Sequence, residues 1–416
     1  MDYYDINLNK LVDYFKSGIK EEKDKSLGLE LEHFIVRADT MESVDYYEEN
    51  GIRDILKLLS PYFEKEIYKD GNLIGLVKDK SNITLEPASQ LEISIGPFID
   101  TLDILEEYNY FLLKIKPILK KFNYKMIYAG YQPKSKVDEL NLIPKKRYEY
   151  MLDYFSKVGS HGKNMMKGSA SAQVSVDYFS EEDFKNKFRL ANILSPVISF
   201  MTDNTNIFEG RHYDKNCVRI KIWNDVDPER SMIVKDALNK DFGFKEYSEY
   251  ILNSPAILIE DKNGNSVYTR NKKIKDIYCD RELNKKDTEH LISMFFPDVR
   301  LKNYVEIRMA DCLPIDYALS YASIIKGIFY SEEAISLLLD KFKDIKDNDV
   351  IKAKGEVVNK GYDAKVYGFE IKDLLLSLIE LAKDNLCHEE KDRVSLFYDL
   401  VKREKTLKIL KDERGE

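Results

Sequence analysis

The chain reads as an α+β protein: an antiparallel sheet in the first part and a helical C-terminal region. Two observations predict this. Strand-type runs dominate the first three quarters, and apolar residues at helical spacing fill the last quarter. The strand-type runs succeed one another without a regular β-α-β alternation, which argues against a parallel sheet. With 416 residues and no linker or low-complexity segment, one domain over 1–416 is expected, with a sheet-containing core at 1–311 and a helical region at 312–416 packed on it.

Apolar positions at helical spacing over 6–19 predict an opening helix. Gly28-Leu-Glu-Leu-Glu-His-Phe-Ile-Val-Arg37 sets Leu29, Leu31 and Phe34 among polar neighbours and predicts a strand. A short helix follows at 52–63, broken near Pro61. Asp70-Gly71 between β-type runs marks a hairpin. Residues 81–97 read as strand, turn at Pro87-Ala88-Ser89, strand. Residues 100–122 predict a long amphipathic helix with Leu102, Leu105, Leu112, Ile115 and Leu119 inward. A strand at 124–131 and a helix at 147–158 follow, then the turn Gly159-Ser-His-Gly162 and a strand within 165–178. Ser180, with Asp183 three residues on, opens another helix. Residues 204–230 read as a loop holding His212, Arg219, Lys221, Trp223, Asp225, Asp227 and Arg230. Next come a hairpin at Asn263-Gly264, a helix at 284–296 and a strand at 299–309 with Glu306 and Arg308. Helices are expected at 315–329, 332–342, 369–385 and 391–410.

The net charge of -8 argues against general affinity for nucleic acid. No apolar run is long enough to span a bilayer. Cys217, Cys279, Cys312 and Cys387 form no C-x-x-C pair, and the N-terminus is polar and acidic, so free thiols in a reducing cytoplasm are expected. The scattered histidines include no H-E-x-x-H, which disfavours a zinc hydrolase.

The chemistry lies in acids on strands. Glu30 and Glu32, two apart, project from one strand face about 7 Å apart. Alone they are either a solvated face or a pair able to hold a hard cation. A second segment offers Glu86 and Glu92, and a third Glu306, with Arg308 pointing the same way. If the strands lie side by side, five carboxylates converge. Each pair ~4 Å apart repels by about 4 kcal/mol at an effective dielectric near 20. Such a cluster persists only when acids are protonated or cations fill it. All-oxygen ligands suit magnesium. Arg308 would either neutralise a transferring phosphoryl group or pair with a neighbouring acid. There is no P-loop and no Rossmann glycine turn, so a bound nucleotide would rest on metals and arginines.

Several motifs resemble those of glutamate–cysteine ligases, in the branch that includes the plant enzymes. Gly28-Leu-Glu-Leu-Glu-His-Phe is similar to its G-x-E-x-E strand, and Ile83-Thr-Leu-Glu-Pro-Ala-Ser-Gln-Leu-Glu to I-[ST]-L-E-P-G-G-Q-x-E. Met165-Met166 with Ala172-Gln-Val-Ser-Val-Asp177 resembles M-M-x(6)-Q-V-N-x-D. Arg219-Ile-Lys-Ile-Trp-Asn-Asp-Val-Asp-Pro-Glu-Arg230 resembles R-x-x-I-W-T-D-T-D-P-x-R, and Val305-Glu-Ile-Arg-Met-Ala-Asp311 resembles L-E-M-R-x-x-D. Asp241-Phe-Gly-Phe-Lys-Glu-Tyr247 and Phe296-Pro-Asp-Val-Arg-Leu-Lys302 fit the same pattern.

The resemblance implies a glutamine-synthetase-like concave antiparallel sheet backed by helices. It implies the substrates ATP, L-glutamate and L-cysteine, and magnesium as two or three ions, with manganese as a substitute. The product would be γ-glutamylcysteine, made through a γ-glutamyl phosphate in the first step of glutathione synthesis. Glu30, Glu32, Glu86, Glu92 and Glu306 would be metal ligands, and Gln173 would complete a metal shell or touch nucleotide. Arg308 would be catalytic. Arg219, Trp223 and Arg230 would line the substrate pocket, although a lone tryptophan also suits a core. Asp311 would meet a substrate amine or, preferably, cap the helix after Pro314. The sequence departs from the family at Ala88-Ser89 and Met232, where glycine is expected, and at Ser175 and His161. The departures at Ala88-Ser89, Ser175 and Met232 bear on amine specificity, while His161 is given no role; the alternatives are a related ligase with another amine, or a silent nucleotide- or amino-acid-binding protein.

Overall fold

Period-two burial in the strand segments builds a sheet with one oily face and one acidic face. The computed structural model describes residues 2–415. Nine strands join in the central sheet: β1 (Leu27–Arg37), β2 (Lys65–Lys69), β3 (Asn72–Lys78), β4 (Ser81–Leu85), β5 (Leu91–Phe98), β6 (Tyr124–Ile127), β7 (Ser171–Val176), β8 (Val299–Leu301) and β9 (Val305–Asp311). Their order is β8-β9-β7-β1-β5-β4-β3-β2, with β6 pairing the end of β1. Every pairing in it is antiparallel.

Leu29, Leu31, Ile83, Ile93, Val174 and Ile307 are fully buried on the apolar face. Helices Thr101–Lys121, Glu181–Met201 and Ile315–Phe329 pack behind it. The C-terminal helices continue this layer, with Ile315–Phe329 against Ile371–Asp384 and Ser395–Lys402. The alternate residues, Glu30, Glu92 and Gln173 among them, face the other way.

The hairpin at Asp70-Gly71 forms with both residues at positive φ, 50° and 75°. Ser180 caps its helix through Asp183 N–H. Several segments differ from the sequence expectation; the helix expected at 391–410, for one, is two helices, Ser395–Lys402 and Leu407–Arg414. Residues 299–309 are two strands, because the chain reverses at Lys302-Asn303-Tyr304, where Lys302 N–H donates to Tyr304 O at 2.9 Å. Before β7, Asn164–Gly168 is a π-helical turn, tied by Ser169 Oγ to Met165 O at 2.7 Å. Within 204–230 lies a helix, Val218–Trp223, too short for periodicity to reveal. Asp347–Lys360 is helical although only Val350, Ala353, Lys354 and Val357 are buried, a stripe too narrow to read. Leu102 is 44% exposed, since it sits on the outward side of the first turn of its helix.

Candidate active site

Register brings the acids together. Glu32 on β1 stands opposite Glu92 on β5, and Glu30 stands between Ser94 and Gln173. Glu86 follows the end of β4, in the turn that leads into β5. Glu30, Glu32, Glu86 and Glu92 line a cavity of about 260 Å³ together with Gln173, Trp223, Arg147, Arg219, Arg300, Lys302 and Arg308.

The four acids are unequally held. Glu32 accepts from Ser171 Oγ at 2.8 Å, Ser171 N–H at 2.7 Å and Gln173 Nε2 at 2.9 Å. Glu92 accepts from Thr84 Oγ1 at 2.6 Å. Among the described residues no side chain or backbone group donates to the Glu30 or Glu86 carboxylate. Burial, then Glu92, pushes Glu30 up to about 7. Burial, then Glu92 and Glu32, pushes Glu86 up to about 8. Glu32 and Glu92 are also raised, first by burial. The protein alone therefore leaves this cluster short of positive charge.

The donor set fits magnesium of one kind. Among the described residues no three His, Cys, Asp or Glu side chains close on one point, so there is no ready-made cage. Magnesium is commonly held by one or two carboxylates, with water and phosphate oxygens completing the shell. Paired acids without histidine match that mode.

Glu306 departs from the set expected for metal. It is fully buried opposite Ser175, with Arg300 and Arg308 at 2.7 Å from Oε2 and Lys302 at 2.8 Å from Oε1. Both oxygens are occupied, so a metal ion would enter only by displacing a cationic side chain. Arg308 lies in a bulge of β9, where register shifts between Ile307 and Ala310, and its N–H donates to Asp298 O at 2.9 Å. Its Nη1 reaches both Glu306 and Gln173 Oε1, which aims it at the cavity edge.

Arg219 and Trp223 share one face of helix Val218–Trp223, four residues apart. The guanidinium carbon is 5.7 Å from the indole centroid, and Nη2 donates to Arg308 O at 3.1 Å. Arg219 Nε and Trp223 Nε1 are buried without a hydrogen-bond acceptor. The indole donor is therefore unused beside the cavity wall, while Arg219 Nε faces the Asp311 carboxylate at 3.7 Å.

Arg230 does not join them. It is buried, donating to Asp227 at 2.6 Å, Pro255 O at 2.8 Å and Met294 O at 3.1 Å. Its planar fork is spent on internal acceptors, and it acts as a structural strut. Asp311 caps no helix, since the turn at Pro314 has no side-chain cap. It accepts from Asn204 N–H at 2.9 Å and Thr205 Oγ1 at 2.7 Å, 3.7 Å from Arg219.

Sequence reasoning missed Arg147, Arg300 and Lys302. The signal for two of them was present in Val299-Arg-Leu-Lys302, whose alternation puts both cations on one face, but it is useful only once the reversal before β9 is known. At two positions where the resemblance expects glycine, Ser89 and Met232 hold φ of 72° and 64°. The backbone keeps the left-handed shape although the side chain disfavours it.

The family model for glutamate–cysteine ligase family 2 matches residues 26–362. Glutamate–cysteine ligase A, chloroplastic, of Oryza sativa subsp. japonica is 30% identical over 386 residues, 90% of this chain and 77% of that protein. The chloroplastic glutamate–cysteine ligase of Nicotiana tabacum is 30% identical over 385 residues, 90% of this chain and 73% of its own. A crystal structure of a Francisella tularensis glutamate–cysteine ligase in complex with AMP superposes with a TM-score of 0.57 at 13% identity, covering 94% of this chain and 84% of that one. At that identity the likeness speaks for the fold.

Proposed function

The chain belongs to glutamate–cysteine ligase family 2, and we propose that it uses ATP to join the γ-carboxylate of L-glutamate to the amine of L-cysteine, the first step of glutathione biosynthesis. The observation that carries this is the cavity itself: four glutamates from neighbouring strands and the turn beside them, rimmed by arginines and a lysine.

A carboxylate is a poor electrophile at neutral pH. In the first step a γ-carboxylate oxygen of glutamate attacks the terminal phosphorus of ATP, and the bond to ADP breaks. In the second the cysteine nitrogen attacks the acyl carbon, phosphate leaves with its oxygen, and the nitrogen loses a proton. Arg308, held by Glu306 and Gln173, would neutralise the phosphoryl group in transfer. Arg219 suits a substrate carboxylate, with Trp223 as a flat wall and a further donor. Glu30, Glu32, Glu86 and Glu92 would hold two or three magnesium ions, with Glu306 joining on exchange of a cationic partner. When bound, magnesium offsets phosphate charge that would otherwise repel the nucleophile.

We read the chain as one catalytic domain, with the helical region 312–416 supporting the core at 1–311. No helix among the described residues is long and apolar enough to cross a membrane. All four cysteines are free, which supports a reducing compartment, and we place the protein in the cytoplasm. The test is ADP release with glutamate, omitting cysteine and magnesium in turn, beside a panel of other amines. Full turnover without magnesium, or an amine preferred to cysteine, would overturn the assignment.

A further inference from the structure

Behind the cavity, the helix that carries Arg219 and Trp223 hangs from one loop, 203–206. Cys217, just before that helix, has a left-handed backbone with φ of 54°, and its N–H donates to Asp203 Oδ2 at 3.0 Å. Asp311 faces the same loop. Its Oδ2 accepts from Asn204 N–H at 2.9 Å and Thr205 Oγ1 at 2.7 Å, while Oδ1 stands 3.7 Å from Arg219 Nε. The loop therefore sets both the start of the Arg219 helix and the acid beside the guanidinium.

The loop is strapped from outside by the last helix, Leu407–Arg414. Lys408 N–H donates to Asp203 O at 3.0 Å, and Lys411 Nζ donates to Asn204 O at 2.8 Å. Asp412 Oδ1 lies 3.0 Å from His212 Nε2, on the short hairpin that continues the loop. This helix lies beyond residue 362, where the family match ends.

We propose that the C-terminal helix positions the substrate pocket: Lys411, acting through Asn204 and Asp311, holds Arg219 where it can grip the carboxylate of an amino-acid substrate. The inference rests on the ligase reading above. Its physical basis is that Arg219 has one hydrogen bond of its own, from Nη2 to Arg308 O at 3.1 Å, and that a contact of 3.7 Å to Asp311 does not by itself fix the rest of the guanidinium. The acid must be fixed instead, and its two loop hydrogen bonds do that. Arg219 is only 6% exposed, so water cannot make good a misplaced partner. Lys411 is a positioning residue, remote from the reacting atoms.

The experiment compares full-length wild type with Lys411→Met, Lys411→Arg and Asp311→Asn. KM for glutamate, cysteine and ATP is measured separately, with kcat and melting temperature. Lys411→Met and Asp311→Asn are expected to raise KM for one amino acid by about 10- to 100-fold and to leave KM for ATP unchanged, the scale on which removing one partner of a buried hydrogen bond acts. Lys411→Arg should recover most of the loss. Three unchanged KM values in Lys411→Met would overturn the proposal. So would a uniform decline in every constant and in melting temperature, with arginine no better than methionine. Trp223 is the sole tryptophan and sits against Arg219, so its emission reports the geometry without turnover. If wild type releases no ADP with glutamate, the ligase reading fails, and identical Trp223 emission in wild type and Lys411→Met then overturns the positioning as well.

Discussion

Glu306→Gln removes the one negative charge at a point where three cations meet. Arg300 and Arg308 reach one oxygen at 2.7 Å and Lys302 the other at 2.8 Å, around a carboxylate with no exposed surface. One pair with charge centres ~4 Å apart is worth about 4 kcal/mol at an effective dielectric near 20. Three such pairs do not add, because residues in one network are coupled and the cations repel one another. Removing one partner from a buried ion pair costs about 3–5 kcal/mol. That range is the loss expected in unfolding free energy at pH 7, a large share of the ~5–15 kcal/mol a native protein has. The assay is urea unfolding followed by far-UV circular dichroism, repeated down the pH scale. Burial would raise the Glu306 pKa, but Arg300, then Lys302 and Arg308, outweigh it and hold the group well below its usual 4.5. A depressed folded pKa contributes stability above the unfolded value and loses it as pH falls through the folded one. Wild type and variant should therefore differ in full at pH 7 and converge only below the usual value of 4.5. A loss under about 1 kcal/mol at pH 7, in a variant that also releases no ADP, would refute the anchoring role and return Glu306 to the proposed metal ligands.

The acids of the cavity predict a second pH dependence of opposite sign. Glu30 and Glu86 are raised to about 7 and about 8, so chelator-treated protein should be more stable near pH 6 than near pH 9, losing stability as pH rises through those values. Magnesium should flatten the melting-temperature profile; a flat profile in chelator would count against the cluster. Arg308→Ala should lower kcat by ~10³-fold or more with little change in KM, and a change confined to KM would contradict a transition-state role. Ser89→Gly should raise the urea midpoint, gaining up to about 1.5 kcal/mol. It relieves a left-handed backbone costing ~1–2 kcal/mol and returns ~0.5–1 kcal/mol as glycine entropy, and a lower midpoint would refute the strain. Arg230→Met should destabilise the fold by about 3 kcal/mol or more while KM for each substrate stays put; a selective rise in one KM would return Arg230 to the pocket.

Arg219 and Arg230 show where local reading stops. Both stand in one acidic motif, and both look suited to a carboxylate. Arg219 lines the cavity with its Nε in no hydrogen bond and 3.7 Å from Asp311, while Arg230 is consumed by Asp227 and two carbonyls. The difference comes from helix Lys146–Val158 and residues 255 and 294 closing over Arg230, and nothing within the motif encodes that approach. Glu306 is a similar case. Its place on a strand and Arg308 as a possible partner were legible, but Arg300 and Lys302 reach it through a reversal at Lys302-Asn303-Tyr304 that a continuous β-type run conceals.

The amino-acid sequence alone determined most strand segments, their acidic faces and the hairpin at Asp70-Gly71, because side-chain alternation and turn chemistry act between near neighbours along the chain. Tertiary structure alone decided which acids met the open cavity and which met arginine. Strand register sets Glu32 against Glu92 and Glu306 against Ser175, and it arises from packing between segments far apart in the chain. Burial then assigned the charges their work, since desolvation and the nearest opposite charge, both products of the assembled fold, raise Glu86 and lower Glu306 although the two side chains are chemically identical.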